Sequence, residues 1–127
     1  MIVGTGIDIV EVARLARLRD RFGERALRRI FTEAELTYCL GLALPASAAS
    51  LAARFAAKEA FYKALGTGVG AGGAWNEAEV VRCENGRPTM RLHGTAAENA
   101  ARLGVRQIHL SLSHTATHAV ASVILEG

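Results

Sequence analysis

The chain has 127 residues, half of them hydrophobic and only 6% aromatic, with a formal net charge of +3. That length suits one domain, residues 1–127, whose core needs no disulfide staple, and no apolar run approaches the roughly 18 residues of a membrane span. The mild positive balance favours an acidic partner or a phosphate-bearing ligand, while the lack of any nucleic-acid motif or interleaved aromatics argues against DNA and RNA.

Ile2–Val10 reads as a strand. Period two puts Val3, Ile7 and Ile9 on one face and Gly4, Gly6 and Asp8 on the other, where the glycines leave open space beside the carboxylate. A helix follows over Glu11–Phe22 with Val12, Leu15, Leu18 and Phe22 as its apolar stripe, and Gly23 ends or breaks it. Glu24–Ile30 adds another turn or two. Thr32-Glu33-Ala34-Glu35 is a capping-box pattern that opens a helix through Leu40. The segment 41–49 is low in complexity, contains Pro45, and reads as a mobile loop. Ser50 then caps a helix over Leu51–Leu65, which Gly66 closes. After a glycine-rich stretch, 66–73, two strands at Glu79–Cys83 and Thr89–His93 join through Asn85-Gly86, a hairpin signal. Thr95-Ala96-Ala97-Glu98 is a second capping box, with Gly104 as the helix stop. Ile108, Leu110 and Leu112 alternate with polar residues in a half-buried strand. Ala119–Leu125 is almost continuously apolar and reads as a central strand. The sum is an α+β domain, with a mostly antiparallel sheet packed against one long helix.

Thirteen of the fifteen basic residues are arginine, and the only lysines, Lys58 and Lys63, flank Glu59. Glu59 and Lys63 are four apart and share a helix face, which makes either a plain surface pair or a site in which the carboxylate holds a cation and the ammonium a phosphate. Ala52 and Ala56 continue that face as a strip against which a ligand can lie. Magnesium uses only one or two protein carboxylates, and Asp8 is the natural second, if it is not a cap for the following helix. Lys58 points about 100° from Glu59 and either binds ligand or packs. The glycine-rich stretch follows a helix instead of feeding one and lacks Gly-Lys-Ser/Thr, so it is no nucleotide P-loop. Arg14, Arg17 and Arg21 form a one-sided stripe, either a solvated face or a dock for an acidic protein. Ser113 and His114 end a strand where they can meet phosphate or nucleotide. Cys39 and Cys83 have no metal spacing and read as buried free thiols. With no secretory leader in Met1-Ile2-Val3-Gly4, they point to a cytoplasmic protein.

Gly4-Thr5-Gly6-Ile7-Asp8-Ile9-Val10-Glu11 and the run from Arg54 to Gly68 together resemble the bacterial holo-acyl-carrier-protein synthases, the short class of 4′-phosphopantetheinyl transferases. The likeness spans essentially the whole chain. It implies the transferase fold and transfer of the phosphopantetheine arm of coenzyme A to a serine of an acyl carrier protein, with adenosine 3′,5′-bisphosphate as the other product. It does not choose between a fatty-acid and a polyketide carrier. By match to the family motifs, Asp8 and Glu59 bind Mg²⁺ and Lys63 contacts the phosphates. Arg54, Gly66, Thr67, Gly68, Ser113 and His114 border coenzyme A. The resemblance also implies a homotrimer with active sites between subunits, and carrier docking on the first helix through Arg14, Arg17 and Arg21. The serine proton goes to Glu59 or to a water. The competing reading is a non-catalytic module that holds an acidic protein on the arginine stripe.

Overall fold

Alternation, capping and glycine placement account for most of the architecture. The computed structural model describes residues 1–127. Strand β1 spans Ile2–Glu11, helix α1 Val12–Leu27, α2 Glu33–Leu40 and α3 Ala46–Leu65. A single 3-10 turn, Trp75–Glu77, leads into the hairpin β2 (Ala78–Arg82) and β3 (Pro88–Leu92). Helix α4 (Gly94–Arg102) and the strands β4 (Gln107–His114) and β5 (His118–Glu126) complete the chain. The larger sheet is antiparallel in the order β1-β5-β4, so the apolar last strand is central, as its composition predicts. No helix is long and apolar enough to cross a membrane.

Helix α3 runs through the middle: sixteen of its twenty residues are buried, so it has no solvated face of the usual width. Its alanines do not form a shelf for ligand. Ala52, Ala56 and Ala60 are fully buried in the core, with Ala60 against β1. The space beside Asp8 is likewise filled. A Cβ at Gly6 would overlap the Ala60 carbonyl oxygen, and one at Gly4 that of Ala64. The glycines therefore let helix and strand meet backbone to backbone. Ile7 and Ile9 of β1 point the other way, 65% and 66% exposed, while Val10 enters the core.

Three helix ends differ from the local signals. Helix α3 begins at Ala46, so residues 46–49 of the expected loop are helical, and Ser50 lies inside the helix with its hydroxyl on Cys39 and Arg54. Helix α1 continues past Gly23, whose φ of 68° and ψ of −165° put a kink before the final turn. That kink leaves Phe22 60% exposed and off the core. The box at Thr95 does not form; Glu77 reaches across instead, its Oε2 accepting from the Thr95 amide at 2.7 Å. The Thr32–Glu35 box and the left-handed cap at Gly66 form as read. Cys39 is buried, and burial raises its thiol pKa. Cys83 is exposed at the hairpin turn, against the expectation of two buried thiols.

Candidate active site

Asp8 lies on the inner face of β1, opposite Ala121 of β5, two residues beyond the Gly6–Ala60 contact. Its side chain is 18% exposed and its Oδ1 accepts from Lys63 Nζ at 2.9 Å; the same ammonium donates to the Ile7 carbonyl at 3.0 Å. Lys63 thus bridges α3 to β1 and does not pair with Glu59 along the helix. Its side chain remains 54% exposed, open to a ligand. Glu59, half-buried, accepts from the indole Nε1 of Trp75 at 3.2 Å. The Asp8–Lys63 ion pair thus marks the corner where α3 crosses β1, and Glu59 stands one helical turn before Lys63 on α3. No three of the His, Cys, Asp and Glu side chains converge to hold a metal. Two hard oxygen donors nevertheless fit Mg²⁺, which takes its other ligands from water and phosphate.

Trp75 connects this corner to a groove of about 440 Å³ between α1 and α3. Arg14, Arg17 and Arg21 rim it, and Phe22, Phe55 and Trp75 form apolar wall. The Arg14 guanidinium stands 5.3 Å over the Phe55 ring, and that of Arg21 stands 5.8 Å over Phe22. The arginine stripe is thus one edge of an aromatic-lined trough, which a charge-only reading of α1 misses.

Arg54 and His114 meet elsewhere, in a cavity of about 230 Å³ with Tyr38, Ser50 and Arg82. Arg54 is only 5% exposed; it donates to Ser50 Oγ at 2.8 Å, lies 4.5 Å over Tyr38, and leaves its Nε without a protein partner. The Arg82 guanidinium approaches the same ring at 5.0 Å. Two guanidiniums and an imidazole around an unpaired buried donor suit an anion. Ser113 is exposed on the opposite side of β4 from His114. Gly66, Thr67 and Gly68 are exposed just beyond Lys63. Arg54 and Lys63 are nine residues apart on α3, about 13 Å along its axis, so within one chain the two cationic sites are separate.

A family model described as the 4′-phosphopantetheinyl transferase superfamily matches residues 4–122. The chain belongs to this superfamily. A holo-[acyl-carrier-protein] synthase of Koribacter versatilis is 57% identical over 126 residues, 99% of each chain. The crystal structure of the synthase from Neisseria meningitidis superposes with a TM-score of 0.88 at 33% identity, covering all of both chains. The synthase from Bacillus anthracis, solved in complex with CoA (3′,5′-ADP), gives 0.81 at 38% identity over 98% of this chain and 96% of that one.

In this transferase the second lysine has a different task. Lys58 is fully buried, and its Nζ donates to Glu35 Oε1 and Oε2 at 2.7 and 3.0 Å and to the Ala78 carbonyl at 2.8 Å. Burial lowers its pKa, against the pull of Glu35. Glu35 also accepts from the amides of Thr32 and Val80, both at 2.9 Å. One carboxylate thus joins α2, α3 and β2. Beside it, Glu79 accepts from Thr32 Oγ1 at 2.7 Å and contacts His93 at 3.0 Å. Burial raises the Glu79 pKa, but these two hydrogen bonds together with the charges of His93 and Arg91 bring it below its ordinary value. The hydroxyl of Tyr62 is pushed well up by burial, with Glu77 adding to the shift. Trp75, Glu35 and Arg82 were invisible as site or support residues because their partners are distant in sequence. The one available signal was Trp75 itself, the only tryptophan, placed just after the glycine-rich stretch.

Proposed function

We propose that the chain, acting as one domain in the cytoplasm, transfers the 4′-phosphopantetheine arm of coenzyme A to a serine of an apo acyl carrier protein and releases adenosine 3′,5′-bisphosphate. The observation that carries this reading is the corner of Asp8, Glu59 and Lys63, joined through Trp75 to a groove rimmed by three arginines. The names of the relatives support it, as does the ligand in the Bacillus anthracis structure.

The serine oxygen attacks the phosphorus that carries pantetheine, and the bond from that phosphorus to the bisphosphate leaving group breaks. The serine proton needs an acceptor there, and the half-buried Glu59 carboxylate takes that role. Lys63 compensates charge on the pyrophosphate oxygens, in a reaction that depends on positioning and neutralisation more than on covalent help. Asp8 and Glu59 would hold Mg²⁺, which supplies polarisation of the phosphoryl oxygens when bound. Arg54 and His114, with Arg82 beside them, bind a phosphate of coenzyme A. Gly66, Thr67 and Gly68 offer backbone amides next to Lys63, and Ser113 adds a hydroxyl from the far side of β4. Arg14, Arg17 and Arg21 draw in the acidic carrier, whose apolar contacts go to Phe22 and Phe55. Three copies assemble into a homotrimer, which brings the Arg54 cavity of one copy to the Lys63 corner of the next.

Incubation with coenzyme A, Mg²⁺ and an apo carrier should add one phosphopantetheine mass to the carrier. Asp8→Ala and Glu59→Ala should each abolish the gain with the melting curve preserved, and a chelator should suppress it. In Arg14→Glu/Arg21→Glu the carrier KM should rise about tenfold or more, with coenzyme A affinity unchanged. Salt-sensitive carrier binding without any mass gain would leave only the binding-module reading.

A further inference from the structure

Trp75 touches both the catalytic corner and the groove. Its indole N–H donates to Glu59 Oε1 at 3.2 Å. Its ring is tilted against Phe55 with centroids 5.9 Å apart, and Phe55 in turn lies under Arg14. The mount of the indole is firmly tied. The Tyr62 hydroxyl donates to the Ala74 carbonyl, and Glu77 Oε1 accepts from the Ala74 amide at 2.6 Å. At the other end of the turn, Lys58 Nζ holds the Ala78 carbonyl at 2.8 Å. The 3-10 turn is thereby fixed to α3 at both ends, and the indole has little room to rotate without losing either Phe55 or Glu59.

We propose that Trp75 is a positioning residue that couples the groove to Glu59. A carrier seated against Phe55 and Trp75 covers the indole already held there and shields its hydrogen bond from water, and the indole N–H keeps the Glu59 carboxylate oriented for the transfer. A glutamate side chain has three rotatable bonds, and one charge-assisted hydrogen bond from a rigid donor selects a single arrangement among them. Arg14 extends the coupling, because an acidic partner that pulls on Arg14 acts on the ring against which Trp75 rests. The proposal depends on the transferase reading and on the groove as the dock.

Trp75→Phe keeps a ring against Phe55 and removes the N–H donor. With wild-type turnover as reference, kcat should fall about tenfold, the scale of a lost hydrogen bond to a charged group, while the carrier KM stays within about twofold. Trp75→Ala, which also opens the groove wall, should raise KM as well. Emission from the lone tryptophan gives a readout independent of turnover. It should change when a tryptophan-free apo carrier is added to the wild type, and it should differ in free Glu59→Ala. Three results overturn the coupling and leave the transferase reading intact: an unchanged kcat and KM in Trp75→Phe, a rise in KM alone, or emission indifferent to both carrier and Glu59→Ala. A wild type that modifies no apo carrier overturns the transferase reading, and the coupling with it.

Discussion

Lys58 carries a charge into the centre of the core, where its three donors meet two oxygens of Glu35 and one main-chain carbonyl. Every hydrogen on the ammonium is used, which is the condition for tolerating such a pair away from water. Lys58→Met would leave the Glu35 carboxylate buried and unpaired, at a cost of about 3–5 kcal/mol. Urea denaturation checks this, and adding Glu35→Gln should recover part of the loss by removing the orphaned charge. Glu79 gives the chain an acid-sensitive support. Its folded pKa lies below the ordinary 4.5, so its stabilisation is present above that value and is lost as pH falls through the folded pKa. Denaturation midpoints should therefore drop below pH 4.5 in the wild type, and less steeply in Glu79→Gln. Lys63, five positions from Lys58, stays half in solvent with its charge on Asp8.

Among the elements, β1 and α3 are the most closely fitted. Gly6→Ala sets a methyl group against the Ala60 carbonyl, and overpacking of this kind costs about 1–3 kcal/mol. A lower melting temperature should come with loss of turnover, because Asp8 and Glu59 lie on either side of the displaced contact. The elements readable from sequence were those with local signals. The Thr32–Glu35 box, the Gly66 cap, the Asn85-Gly86 hairpin and the apolar run of β5 each lie within a few residues of what they determine. The inner face of β1 was not readable in that way. Alternation separates Ile7 from Gly6, but only the approach of α3 shows that the glycine side is the packed one. Ser50 looked like a cap because its partners, Cys39 and Arg54, lie a helix apart or one turn on. Thr95 lost its box to Glu77, eighteen residues away. In the site, motif residues were legible as a set. The division between the Lys63 corner and the Arg54 cavity came only with the helix axis in view.

For the whole molecule, the outer side of the larger sheet is the exposed apolar surface: Ile7 and Ile9 stand out on β1 beside Val120 and Ser122 of β5. Burying that face between copies is the basis of the proposed trimer. Light scattering should give three times the 13.5 kDa chain mass, and Ile7→Glu/Ile9→Glu should give the single-chain mass together with lost turnover. The opposite side of the same strand has its own consequence. Side chains hop between rotamers in picoseconds to nanoseconds, but the spacing of the two carboxylate-bearing segments is set by main-chain atoms stacked on main-chain atoms at Gly4 and Gly6. That contact contains no side-chain torsion to relax. Warming the protein loosens its periphery first and leaves this gauge unchanged until the fold itself gives way, so heat inactivation and melting should trace a single curve.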